Sequence, residues 1–113
     1  MTITMNSTDK HNIPIIALDA LQDGTPTRID LAGHRLCVVL HEGTAYAIDD
    51  LCNHGHAFLS EGEFDADECM FECPLHGGLF DARTGKACGA PATRPMRVYH
   101  TEIKDGQVYA DLD

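Results

Sequence analysis

The chain has no apolar run approaching the roughly 20 residues that a membrane-spanning helix needs. Its start, "MTITMNSTDKHN", lacks the apolar core of a secretory leader. A cytoplasmic protein with no membrane partner is therefore expected. Basic residues are scarce: 8 Lys and Arg stand against 18 Asp and Glu, a formal net charge of −10. This excludes nucleic acid and anionic membrane surfaces as partners and favours a basic protein surface, unless the charge only keeps a small domain soluble. There is no long segment with apolar residues at helical spacing, no internal repeat, no low-complexity tract and no linker. What these absences leave is a single all-β domain. Residues 1–12 read as a flexible N-terminal tail and residues 13–113 as one unit, able to bury a core but too small for an additional catalytic domain.

What is present is a series of strand-like runs broken by Gly, Asp and Pro. "IPIIAL" (Ile13 to Leu18) and "TPTRIDLA" (Thr25 to Ala32) read as strands with "QDG" turning between them. "RLCVVLHE" and "TAYAI" meet around Glu42-Gly43, a hairpin signal, and "MRVYHTEIK" and "QVYADL" flank Asp105-Gly106, the strongest such signal in the chain. Between Asp49 and Pro95 the runs shorten, and Gly, Pro, Cys and His crowd into loops around "CMFEC". This middle third is an insert in the sheet system, and it holds the chemistry.

Five cysteines in a chain without an export signal are more consistent with metal binding or packing than with disulfides. Four residues form a spaced set: Cys52-x-His54, then eighteen residues, then Cys73-x-x-His76. Two short pairs of this kind can present four ligands to one centre. Structural zinc uses the same residue types, but zinc fingers group Cys with Cys and His with His, whereas each loop here carries one of each. A binuclear [2Fe–2S] cluster explains the mixing: if one iron takes both thiolates and the other both imidazoles, each loop must reach both irons. Two ferric ions, two sulfides and two thiolates carry no net charge with neutral imidazoles, whereas four thiolates leave a dianion. An electron is added more easily to the neutral centre, hence potentials of roughly −150 to +300 mV against about −400 mV for the all-Cys plant-type cluster.

Cys52-x-His54 and Cys73-Pro74-Leu75-His76-Gly77 resemble the Rieske iron–sulfur signature. From about Ile13 to Leu112 the chain is similar to the small Rieske ferredoxins of bacterial aromatic-ring-hydroxylating dioxygenases. Leu51, "AFLSEGEF" and the Phe-Asp-x-x-Thr-Gly turn within "LFDARTGKA" support the likeness. The resemblance implies a Rieske-type antiparallel β sandwich with a small cluster-binding subdomain built from two loops, at about 50–92. It implies one [2Fe–2S] cluster, with Cys52 and Cys73 on a buried iron and His54 and His76 on an outer one, and Gly89 to Pro91 covering it as a third loop. It also implies a monomeric one-electron carrier, not catalytic alone, that takes electrons from an NAD(P)H-dependent flavoprotein reductase and passes them to a terminal oxygenase. Two other readings stay open: an accessory Rieske-like small subunit of a nitrite reductase, and a zinc-stabilised binding module. High-potential Rieske proteins carry a further cysteine in each loop, forming a bridging disulfide, and a serine and a tyrosine that donate to the cluster. Here those positions are Ala57, Leu75, Gly78 and Phe80. With fewer donors the reduced cluster is less stabilised, so a low-potential protein is expected.

The remaining candidates have simpler readings. His56 sits in the first loop outside the ligand pattern and reads as solvated. His11, His34, His41 and His100 lack spaced partners. Cys37 and Cys69 read as small core residues within strands, while Cys88 is equally compatible with exposure and with burial beside the cluster. "EGEFDADE" (Glu61 to Glu68) lacks the EF-hand pattern and reads as a solvated acidic turn able to orient basic partners.

Overall fold

The computed structural model describes residues 12–53, 57–75, 77–90, 92 and 94–112. The expected tail therefore lies, apart from Asn12, outside the described residues. The regular structure of the described chain is nearly all β, arranged as three antiparallel sheets, with two short 3-10 turns at Leu18–Ala20 and Leu59–Glu61. β1 (Ile13–Ala17), β11 (Gln107–Ala110) and β10 (Thr101–Lys104) form the first, in the order β1-β11-β10. β2 (Thr27–Leu31), β3 (His34–His41), β4 (Thr44–Asp49) and β9 (Val98–Tyr99) form the second in that order. β5 (Glu63–Asp65), β6 (Met70–Glu72), β7 (Leu79–Asp81) and β8 (Ala87–Gly89) form the third. The all-β expectation holds, and the middle insert is this third sheet with its loops.

Side chains alternate across a strand, and that alternation divides the core in two. Leu36 and Val38 of β3, with Ala45 and Ala47 of β4, face the first sheet and pack with Val108, Ala110 and Leu112. Cys37 and Val39, with Ile48, face the third sheet and pack with Leu59, Phe71 and Phe80. β3 is thus covered on both sides, which is why "LCVV" reads as an unbroken apolar run: all four residues have no exposed surface.

Turn chemistry sets the registers. Glu42-Gly43 joins His41 to Thr44 and Asp105-Gly106 joins Lys104 to Gln107, both pairs with positive φ as a type I′ turn requires. Ala32-Gly33 makes a third such hairpin between Leu31 and His34, with Ala32 at φ 53. Gln22 to Thr25 also turns as expected, the Thr25 N–H donating to the Gln22 carbonyl at 3.0 Å. The run "MRVYHTEIK" is not one strand, however. It breaks at His100, leaving Val98–Tyr99 in the second sheet and Thr101–Lys104 in the first. Cys69 likewise lies in the β5–β6 turn at φ 57, just before β6 and not within a strand.

Candidate metal centre

Cys52 and Cys73 lie at the heads of two tight loops and share one buried core with Phe71, Phe80, Leu59 and Met96. They are 2% and 4% exposed, and the five cysteines of the chain form no disulfide. In the first loop the Cys52 N–H donates to the Ala57 carbonyl at 2.9 Å, and Leu51 bridges to Phe58 in antiparallel fashion. In the second, the Cys73 N–H donates to the Gly78 carbonyl at 2.8 Å and the Gly77 N–H donates back to the Cys73 carbonyl at 3.0 Å. Gly77 adopts φ 73, which closes that turn. His54, His56 and His76 fall outside the described residues. The described half of the expected ligand set is what a cluster needs from its thiolates: two buried sulfurs, one per loop, in a common apolar environment.

The loops are braced from three directions. Gly62, just past the first loop, approaches the second so closely that a methyl there would run into the Glu72 carbonyl and lie 3.0 Å from Pro74 Cδ. Gly78 lies against Ala92, where an added Cβ would sit 3.2 Å from the Ala92 Cβ. The segment after β8 reaches the first loop as well: Asn53 Nδ2 donates to the carbonyls of Arg94 (3.2 Å) and Pro95 (2.8 Å), and an Arg94 guanidinium nitrogen donates to the Asn53 carbonyl at 2.9 Å. Met96 Sδ accepts the Asn53 N–H at 3.4 Å, and the Met96 N–H donates to the Gly85 carbonyl at 2.8 Å. Gly85 has φ 79, and a side chain there would collide with the Met96 carbonyl. This gives the Phe-Asp-x-x-Thr-Gly turn a structural reason. Asp81 Oδ1 accepts the Arg83 N–H at 2.7 Å and the Thr84 N–H at 3.3 Å, and the turn so formed seats Gly85 under Met96. Burial opposes ionisation of Asp81, but the hydrogen bonds and charge of Arg83 outweigh it and hold the carboxyl below its usual range. Just past the expected third loop, Gly89 to Pro91, Ala92 donates its N–H to the Gly89 carbonyl at 3.0 Å; Pro91 lies outside the described residues.

A feature that sequence reasoning missed lies beneath the first loop. Asp50 has no exposed surface and is the one buried charged residue among those described. Its Oδ2 accepts from Arg35 Nε at 2.6 Å and from Ser60 Oγ at 2.8 Å, and its Oδ1 accepts the Ser60 N–H at 2.6 Å. The Arg35 guanidinium lies 3.4 Å from the centroid of the Phe58 ring. Burying a carboxylate costs on the order of several kcal/mol unless partners offset it, and here three donors do. Strand alternation does not single it out, because Ala47 and Ile48 are both buried and point equally to Asp49 and Asp50.

Other histidines and cysteines are placed as follows. His34 takes a structural place: its Nδ1 lies 3.2 Å from the Tyr99 hydroxyl, which in turn donates to Asp49. Burial and the Asp49 carboxylate push the Tyr99 phenol up. The His41 ring meets Phe64 edge-on at 5.3 Å, with Nε2 3.5 Å from Glu42. Cys37 is fully buried, and burial and then the Asp50 charge push its thiol up, as befits a packing residue. Cys69 is buried too, and its thiol is raised by that burial. Cys88 is exposed on β8, with Sγ donating to the Lys86 carbonyl at 3.3 Å. The acidic stretch is a turn, Asp65 Oδ1 accepting the N–H groups of Asp67 and Glu68, and no metal-holding group of three such residues occurs among the described residues.

The comparisons with known proteins agree with this geometry. Residues 11–100 match the Rieske [2Fe-2S] domain. The chain is 47% identical over 100 residues to the anthranilate 1,2-dioxygenase ferredoxin subunit of Burkholderia cepacia, covering 88% of this chain and 90% of that one. Among solved structures it superimposes on the ferredoxin of carbazole 1,9a-dioxygenase from Nocardioides aromaticivorans IC177 with a TM-score of 0.85 and 36% identity, covering 88% and 96%. It also matches the ferredoxin in a complex of reduced oxygenase and oxidized ferredoxin of carbazole 1,9a-dioxygenase, with a TM-score of 0.81 and 38% identity over 90% and 94% of the two chains. Two buried thiols on braced loops beside a small four-stranded sheet, and a sequence match across most of the chain, lead to one assignment: the chain belongs to the Rieske [2Fe-2S] domain family.

Proposed function

We propose that this chain is a one-electron carrier that takes electrons from an NAD(P)H-dependent flavoprotein reductase and delivers them to the terminal oxygenase of an aromatic-ring-hydroxylating dioxygenase system. It carries electrons and is not catalytic alone. The observation that supports this most directly is the contrast in exposure at the two loops. Cys52 and Cys73 are buried, while their loop neighbours Leu51 and Leu75 are 53% and 52% exposed. Large apolar side chains left in water beside a metal centre suit transient protein contact. The relatives named above are ferredoxins of dioxygenase systems, and one solved structure pairs such a ferredoxin with an oxygenase.

In this reading Cys52 and Cys73 hold one iron and His54 and His76 the other. A [2Fe–2S] cluster held there supplies reversible one-electron storage at a neutral starting charge. The chain's own contribution is to keep water from the thiolates, through Phe71, Phe80, Leu59 and Met96, and to fix loop spacing so that little rearrangement accompanies the change of charge. The protein works as a monomer in the cytoplasm, with residues 1–12 as a tail and 13–113 as its one domain. No helix among the described residues is long and apolar enough to cross a membrane.

Two positions support the low-potential reading. Gly78 cannot take the hydroxyl-bearing side chain of the high-potential branch without displacing Ala92, and Phe80 is fully buried and has no hydroxyl. Visible absorption and EPR of purified protein, before and after dithionite, test the reading: a brown protein with the low average g of a histidine-ligated cluster is expected. Stoichiometric zinc and no signal would overturn it. A midpoint potential well above roughly +100 mV, high in the Rieske range, would overturn the low-potential assignment.

A further inference from the structure

We propose that Asp50 is the positioning residue of the first cluster loop, acting through Arg35 and Ser60 to fix the place at which Cys52 is presented. The proposal rests on the cluster reading above and adds to it a cause for the loop's geometry.

The loop leaves β4 at Asp50 and returns at Phe58 to Ser60, and several of the connections among the described residues between these two ends involve Asp50 or Leu51. The Leu59 N–H donates to the Asp50 carbonyl at 2.8 Å, and the Asp50 N–H donates to the Arg35 carbonyl at 2.9 Å. The Asp50 carboxylate takes both the N–H and the hydroxyl of Ser60, so the returning segment is held by backbone and side chain together. Arg35, on β3, closes the arrangement from the sheet, with Nε on Asp50 and its guanidinium plane over Phe58. Cys52 is two residues from this node, and its N–H is already committed to Ala57 across the loop. The second loop has no comparable ion pair among its described residues; it is set by close glycine contacts at Gly62 and Gly78. The two halves of the centre are therefore positioned by different means: packing on the Cys73 side, and a buried charge node on the Cys52 side. A buried ion pair is often no more stable than an apolar replacement, and its best-attested use is to specify one arrangement among several.

The test uses holoprotein carrying Asp50→Asn, the double variant Arg35→Met/Asp50→Leu, and Val108→Ala as a control in the opposite core. Urea midpoints, iron release to excess EDTA, EPR line positions and midpoint potential are measured for each. Asp50→Asn is expected to release iron about tenfold faster than wild type, as loss of a supporting hydrogen-bond partner does at other metal sites, and to shift the EPR lines. The double variant leaves no buried charge unpaired, so its urea midpoint is expected to recover while fast iron release and shifted lines persist. Val108→Ala is expected to lower the urea midpoint with wild-type lines and potential. Iron retention and lines that return to wild type in the double variant, or that change equally in the control, would overturn the proposal by reducing Asp50 to general stability. A wild-type protein without the histidine-ligated EPR signal would overturn the cluster reading itself, and this proposal with it.

Discussion

Cys52 and Cys73 are nearly inaccessible, while Leu51 and Leu75, one and two positions away in the chain, stand in solvent. The thiolates need a dry environment, and the partner needs something to touch, so both demands are met within a few residues. Two predictions belong at this scale. With His76 as the proposed neutral ligand, His76→Cys puts a thiolate in its place, and where the cluster survives, its midpoint potential is expected to fall toward the roughly −400 mV of all-Cys clusters, as protein-film voltammetry will read directly. A zinc site would tolerate the exchange without any redox signal. Leu75→Asp is expected to slow electron delivery to the oxygenase while leaving the midpoint unchanged; stopped-flow reoxidation of the reduced protein by the oxygenase separates the two quantities. The proposed ligand residues are legible in the sequence because their spacing alone carries the pattern. Asp50 was not, since nothing in "AIDDLC" says which of two adjacent aspartates is buried with three donors until the strand's inner face is known.

At the scale of elements, turns were the most readable feature and strand partners the least. Glu42-Gly43 and Asp105-Gly106 were identified from residue type, since only a few residues adopt positive φ at low cost. Ala32-Gly33 was passed over because alanine is a poor occupant of the left-handed region, where an L side chain costs about 1–2 kcal/mol. Ala32→Asn is therefore expected to stabilise the β2–β3 hairpin by about 1 kcal/mol, raising Tm by about 4 °C in a thermal melt. The break of "MRVYHTEIK" at His100 was invisible, because a strand that changes sheets keeps its local β character on both sides of the break. The loop elements make a further prediction. Gly62→Ala forces a methyl into the Glu72 carbonyl, and the separation of the loops is expected to cost about 1–3 kcal/mol and most of the bound iron, measured by urea titration and iron content.

For the whole molecule, a net charge of −10 surrounds a centre that must meet protein partners quickly and release them. If acidic residues such as Glu61 to Glu68 steer that encounter, raising ionic strength from low to physiological is expected to slow electron transfer, because screening shortens to about 8 Å. A second-order rate indifferent to salt, followed by stopped flow, would exclude the role. At this scale too the contributions of sequence and structure separate. The sequence by itself determined the all-β class, the turns at Glu42-Gly43 and Asp105-Gly106, and the pairing of one cysteine with one histidine in each loop, because each of these depends on residues close together in the chain. Tertiary structure alone decided that β1 joins β11, that β3 is covered on both faces, and that Asn53 is held by Arg94 to Met96. These contacts link residues from about twenty to about a hundred positions apart. Their existence depends on which faces meet when the sheets stack, and that is a property of packing which no local pattern of residues contains.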